Sequence, residues 1–203
     1  MTADPSIPDH QVGRADEDLT LAERHARSRN RKLERHIALV GFMGAGKSSL
    51  GVLLAEELAR PFFDSDGLVQ ERTGSSVQEL FAAGREAEFR AVEETAILEL
   101  LDGPPAVIAL GGGALMSSET RNALATRCFV IHLHVSWAEV RASLSELSGD
   151  RPLLQRPPAE VHELYLARQT TYRDADVRIH VPRNDPTLAL THVLYALRRS
   201  NSD

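Results

Sequence analysis

The chain has a single cysteine, Cys128, in 203 residues. That excludes an intrachain disulfide framework and a cysteine metal cluster. Set within Arg127-Cys128-Phe129-Val130-Ile131, it reads as a small buried strand residue rather than a nucleophile. A basic excess is missing too: 23 Lys and Arg face 29 Asp and Glu, a net charge of −6, which argues against a general nucleic-acid binder. No apolar run approaches membrane-spanning length, and the polar N-terminus carries no signal-peptide core. The expectation is therefore a cytoplasmic protein without a membrane partner. The eight histidines do not fall at metal-ligand spacing; His132 and His134 alternate on a strand-like run and read as structural.

What is present suits one α/β domain of ordinary globular composition, 42% hydrophobic and 26% charged. Residues 1–35 stand apart, acidic up to Asp18 and basic from Leu19 to Arg35, with seven charges of each sign. They hold few apolar residues to offset the entropy of ordering, so a disordered charged tail is expected there. Fraying is expected at 200–203. From 36 to 199, strand-like runs at Ile37–Val40, Pro61–Phe63, Ala106–Leu110, Cys128–Val135 and Val177–Val181 alternate with helix-period segments. The helical stretches are Lys47–Ala59, Val77–Leu101, Ser118–Ala125, Trp137–Leu147, Glu160–Tyr172 and Thr187–Arg198. Such alternation predicts a parallel sheet covered by helices on both faces. Trp137, Tyr165 and Tyr172 fall at helical or helix-start positions and read as packing residues. Ser143 to Pro158 is polar and irregular, the character of a mobile lid.

Chemistry enters at Gly41-Phe42-Met43-Gly44-Ala45-Gly46-Lys47-Ser48, a G-x-x-x-x-G-K-S string directly after an apolar strand. Successive N–H groups of such a loop form a nest for phosphate oxygens, and the helix behind points its positive end at them. Lys47 reaches the β/γ-phosphates and the Ser48 hydroxyl ligates Mg²⁺. This is a nucleoside-triphosphate site.

Asp64-Ser65-Asp66 closes the second strand, where ligands of open α/β sheets bind. Two acids there suit metal holding and hydroxyl holding; the same string also suits a helix cap opening at Gly67. No second apolar strand ends in the usual metal-binding Asp, so Asp64 is the natural supplier. The third strand runs instead into Gly111-Gly112-Gly113, which either lets a ligand approach the backbone or forms a flexible turn. Arg90 and Glu93 lie three apart on one helix face; such a pair is commonly a solvated bridge, but Phe81 and Phe89 stand ready to wall a pocket around it. Arg151 lies inside the lid segment and Arg168 on the helix after it, each able to draw an anion.

Together, Gly41–Ser48, Asp64-Ser65-Asp66, the Phe81…Gly84…Phe89-Arg90…Glu93 pattern, Gly111-Gly112-Gly113, Arg151-Pro152-Leu153-Leu154 and Arg168…Tyr172 resemble the shikimate kinase family over about residues 37–198. The resemblance implies a three-layer αβα fold of the P-loop kinase type, with a five-stranded parallel sheet and a mobile lid. It implies ATP-dependent phosphorylation of the 3-hydroxyl of shikimate, with one Mg²⁺ per site and ATP as co-substrate. Lys47, Asp66 and Arg151 become the catalytic residues. Asp66, Arg90, Gly112, Gly113 and Arg168 hold shikimate, with Glu93 orienting Arg90. Gly44, Ala45, Gly46, Lys47, Ser48, Ser49, Arg151 and Pro186 hold the nucleotide, and Ser48 and Asp64 the metal. Substrate-binding helices are expected over about 66–101 and the lid over about 143–158, in a monomer. One departure stands out: Ser143 to Asp150 carries no arginine, where the family commonly has one stacking on adenine.

Overall fold

The computed structural model describes residues 34–144, 156–181 and 185–199. Residues 1–33 of the expected tail, 145–155 of the expected lid with Arg151, and the expected frayed end at 200–203 lie outside the described residues.

Five short strands form one all-parallel sheet in the order β2-β3-β1-β4-β5. They are β1 His36–Val40, β2 Phe62–Asp64, β3 Val107–Ala109, β4 Cys128–His134 and β5 Val177–His180. Each lies within a residue or two of the run expected for it. Around them pack α1 Lys47–Glu57, α2 Ser65–Thr73, α3 Val77–Ala82, α4 Glu86–Leu101, α5 Ser118–Arg127, α6 Trp137–Leu144, α7 Pro158–Thr171 and α8 Pro186–Arg198. No described helix is long and apolar enough to cross a membrane.

The central strand explains the three layers. Side chains alternate along a strand, so β1 sends Ile37 and Leu39 to one face and Ala38 and Val40 to the other. The first pair joins a core with Leu50 and Leu54 of α1 and Val193 and Leu197 of α8. The second joins Ile97 and Leu101 of α4 and Leu124 of α5. Leu54 is wholly buried; its truncation to alanine costs about 2–5 kcal/mol. A small third cluster, Val69, Leu80 and Phe89, ties α2 and α3 to α4.

Two departures from the expected elements shape the site. The stretch read as one helix over Val77–Leu101 is two, because Gly84 turns left-handed at φ 70 and the Arg85 N–H donates back to the Leu80 carbonyl at 2.8 Å. That break lets α4 start afresh with Phe89 and Arg90 in its first turn. The helix at Ser65–Thr73 shows in its own residues only as a cap signal, since its sequence is polar and carries Gly67 in the first turn, although the resemblance places substrate-binding helices over about 66–101. It places Asp66 on a helix rather than on an extended strand beside Asp64. At the opposite end of the sheet, Arg35 is held through its guanidinium to the Ala125 carbonyl at 2.8 Å.

Candidate active site

Two groups of residues meet at the carboxyl ends of β1, β2 and β3. The first is continuous in sequence. The loop between β1 and α1 has Gly44 and Gly46 at φ 78, and α1 opens at Lys47 with no side chain capping it. Its leading N–H groups therefore face outward toward an external anion. Gly46 forms the αL step at the helix start, a conformation that costs other residues about 1–2 kcal/mol. Lys47 Nζ donates to the Gly41 carbonyl at 3.0 Å and the Phe42 carbonyl at 3.3 Å, arching over the loop. Beside the loop lies a cavity of about 270 Å³ lined by Gly44, Ala45, Gly46, Ser49 and Pro186, five of the eight expected nucleotide residues; Lys47 and Ser48 do not line it, and Arg151 lies outside the described residues.

Ser48 and Asp64 meet as expected of metal holders. The Ser48 hydroxyl donates to Asp64 Oδ2 at 2.6 Å, while Asp64 Oδ1 accepts the Asp66 N–H at 3.1 Å. The cap and metal readings of Asp64 are thus compatible, one oxygen serving each. No cluster of three or more His, Cys, Asp or Glu with metal-holding geometry occurs among the described residues. A pair of hard oxygens without further protein ligands fits a cation that keeps waters and shares phosphate oxygens, the habit of Mg²⁺.

The second group is assembled from four places around the glycine triplet. Gly111, Gly112 and Gly113 form a turn, the Ala114 N–H donating to the Gly111 carbonyl at 3.1 Å, but none of them takes a positive φ, so backbone conformation does not demand glycine there. Space explains the glycines. A Cβ on Gly111 would sit 2.5 Å from Glu93 Oε1 and 2.7 Å from Asp66 Oδ1; on Gly112 it would strike the Arg168 guanidinium; on Gly113 it would lie 2.5 Å from the Arg90 guanidinium. Three consecutive glycines thus seat four different charged groups.

Arg90 is a buried-partner residue, not a solvated bridge. Its Nη1 donates to Glu93 Oε2 at 2.7 Å, and Glu93 is 1% exposed. The guanidinium lies over Phe89 at 4.8 Å and Phe81 at 5.7 Å, so the two phenylalanines wall the cation as the sequence suggested. Burial pushes the Glu93 carboxyl above its ordinary value, with the Arg90 charge opposing. Burial likewise lowers the Arg168 guanidinium, whose Nε is buried without a hydrogen-bond partner. An orphaned donor beside the glycines is a place for an anionic acceptor. Arg168 also lies over the ring of Phe42, a residue of the phosphate loop, at 5.5 Å.

Sequence reasoning passed over several residues. Ser65 is fully buried, accepting the Gly111 N–H at 2.7 Å and donating to Glu93 Oε1 at 3.2 Å. Gly111 seats the acids, Phe42 underlies Arg168, and Tyr172, read as packing, also donates to the Gly112 carbonyl at 3.4 Å. Only helical register at Ser65 would have turned that side chain inward, and the helix itself was the weak point. His132 behaves structurally as expected: it is buried against Tyr172, ring centroids 4.8 Å apart, and burial lowers its pKa to about 4.

Known proteins resemble this chain in sequence and in fold. The family model described as shikimate kinase matches residues 43–198. A shikimate kinase of Pseudomonas syringae pv. tomato is 39% identical over 166 residues, spanning 80% of this chain and 96% of that protein. The solved structure of a shikimate kinase from Acinetobacter baumannii in complex with shikimate superposes with a TM-score of 0.77 at 30% identity, covering 87% of this chain and 99% of that one. A gluconokinase from Sinorhizobium meliloti, 18% identical with a TM-score of 0.56 over 82% of this chain and 93% of that one, shares the fold alone.

Proposed function

The chain belongs to the shikimate kinase family and catalyses ATP-dependent phosphorylation of shikimate in aromatic biosynthesis, and from that premise we propose which of its residues carry each part of the reaction. The observation that supports the assignment best is the seating of Asp66, Glu93, Arg168 and Arg90 on three successive glycines, which gathers two acids and two cations in one place. An acidic polyol needs that combination: cations for its carboxylate, and an acid with backbone groups for its hydroxyls.

Arg90, held by Glu93, and Arg168, with its orphaned Nε, grip the shikimate carboxylate. Gly112 and Gly113 meet the ring hydroxyls through the backbone. Asp66 holds the 3-hydroxyl and takes its proton as the oxygen attacks. The new bond joins that oxygen to the γ-phosphorus while the bond to the β,γ-bridging oxygen breaks, releasing ADP. Catalysis of such a transfer is mainly positioning and charge neutralisation. Lys47 supplies charge at the β/γ-oxygens from the donor side, and Arg151 is assigned to do so from the lid. Ser48 and Asp64 hold Mg²⁺, which when bound neutralises charge on the same phosphate oxygens. Gly44, Ala45, Gly46 and Ser49 cradle the phosphates, and Pro186 flanks adenine. We assign the activity to a monomer, since the proposed roles are all filled by residues of a single chain and call for none from a second copy.

A coupled ADP-release assay with shikimate, gluconate and a nucleoside monophosphate as alternative acceptors tests the acceptor half. Turnover with shikimate alone is expected. Comparable turnover with gluconate or a nucleotide would remove the carboxylate-and-ring assignment.

A further inference from the structure

Ser65 lies between the two assigned acids and touches neither nucleotide nor acceptor in the scheme above. It is nonetheless fully buried, with no access for water. Its hydroxyl has one hydrogen and two lone pairs. The Gly111 N–H, 2.7 Å away, occupies a lone pair, so the hydrogen turns to Glu93 Oε1 at 3.2 Å. Glu93 Oε2 in turn accepts from Arg90 Nη1 at 2.7 Å. The result is a directed path from the glycine edge, through one hydroxyl and one carboxylate, to the carboxylate-gripping arm. A Cβ on Gly111 would meet Glu93 Oε1 at 2.5 Å, so only a glycine lets the backbone stand this close to the carboxylate.

We propose that Ser65 is a positioning residue for acceptor binding: its hydroxyl sets the spacing between the glycine edge that faces the ring hydroxyls and the Arg90 arm that grips the carboxylate. The inference rests on the acceptor assignments made above. It is independent of the nucleotide side, because Ser65 has no bond to the phosphate loop among the contacts described. The buried Glu93 carboxylate depends on its few donors, Arg90 and Ser65, to stay charged. Losing the hydroxyl both weakens that hold and leaves the Gly111 N–H unpaired, in a place water does not reach.

Steady-state kinetics on Ser65→Ala, Ser65→Thr, Glu93→Gln, Arg90→Ala and the Ser65→Ala/Glu93→Gln double variant test this. Ser65→Ala is expected to raise the shikimate KM about tenfold, with the ATP KM within about twofold of wild type, and Ser65→Thr to restore most of the loss. If Ser65 acts through Glu93, the double variant is no more than about twofold worse than Glu93→Gln alone. Equal rises in both KM values, or full additivity with Glu93→Gln, would overturn the proposal. Should Ser65→Ala not fold, Ser65→Cys keeps the volume with a weak donor, and an unchanged shikimate KM there overturns it equally. Arg90→Ala separates the two possible failures. An unchanged shikimate KM in that variant sinks the carboxylate assignment itself, whereas a raised one beside an unchanged Ser65→Ala sinks Ser65 alone.

Discussion

The donor and acceptor halves of the cleft sit side by side at the same sheet edge but are made in different ways. The donor half is built mainly on one continuous stretch, Gly41 to Ser49, with Asp64, Pro186 and the assigned Arg151 added to it, and its working groups are largely backbone N–H donors fixed by left-handed glycines and the start of α1. The acceptor half draws on α2 for Asp66, α4 for Arg90 and Glu93, the loop after β3 for three glycines, and α7 for Arg168. Its working groups are side chains that lean on one another. A backbone nest fits phosphate whatever the second substrate is, so it recurs across enzymes of different specificity. A lattice of leaning charges is specific to one acceptor, and a change to any member is felt by the others.

The largest test removes the donor charge. Lys47→Ala is expected to lower kcat about a thousandfold while moving the shikimate KM little. A comparable loss of shikimate affinity measured by direct titration would mean that the halves are not separable. The counterpart is Arg168→Ala, expected to weaken shikimate binding on the order of 10- to 100-fold with ATP binding nearly intact. A contact that bridges the halves, Arg168 over Phe42, is where this separation is most exposed. If ATP affinity falls with shikimate affinity in Arg168→Ala, Phe42 transmits the loss into the phosphate loop.

A smaller effect distinguishes the two uses of glycine. Gly46 is left-handed, and a Cβ there meets nothing within 4 Å, so Gly46→Ala strains backbone alone. About 1–2 kcal/mol of stability and much of the ATP affinity are expected to go. Gly113 has an ordinary φ of −105, and its Cβ would press on the Arg90 guanidinium at 2.5 Å. Gly113→Ala is expected to raise the shikimate KM about five- to tenfold with little change in Tm, because a flexible side chain yields first. A large drop in Tm with normal shikimate KM would show that the triplet is structural rather than a seat for the acceptor's partners.

The same contrast explains what the sequence revealed. The phosphate loop was legible from spacing alone, because its chemistry depends on consecutive residues after an apolar strand. The sheet was legible for a related reason, since buried parallel strands are short apolar runs. Asp66 was legible beside Asp64 at the end of the second strand, whereas Arg90 and Arg168 had local signatures little stronger than a surface charge, and the joint resemblance raised them. Arg90 and Glu93 read locally as a solvated pair, and nothing in their spacing says that Glu93 is buried. Helix α2 was covered only by the resemblance, because its own sequence is polar and carries a first-turn glycine, and nothing local gave the inward orientation of Ser65. Tertiary burial decided each of these cases, and burial of a polar residue leaves little trace in one sequence.

The smallest expected effect is a pH dependence confined to the acceptor half. Burial holds the Glu93 carboxyl above its ordinary 4.5, with Arg90 opposing, Asp66 adding to the rise and Ser65 opposing it. The native state therefore binds this proton more readily than the unfolded chain. The associated stability is fully present below 4.5 and is lost as pH rises through the folded value. Acceptor binding runs the other way, because protonated Glu93 no longer holds Arg90 by charge. The shikimate KM of wild type is expected to rise about threefold relative to Glu93→Gln as pH falls through that value. Taking the ratio to Glu93→Gln cancels titration of shikimate and ATP themselves. The ATP KM ratio should stay flat over the same range, since backbone donors do not titrate. A shikimate ratio that is equally flat would mean that Arg90 keeps its place without the ionised Glu93, and that the acceptor charges lean on one another less than their distances imply.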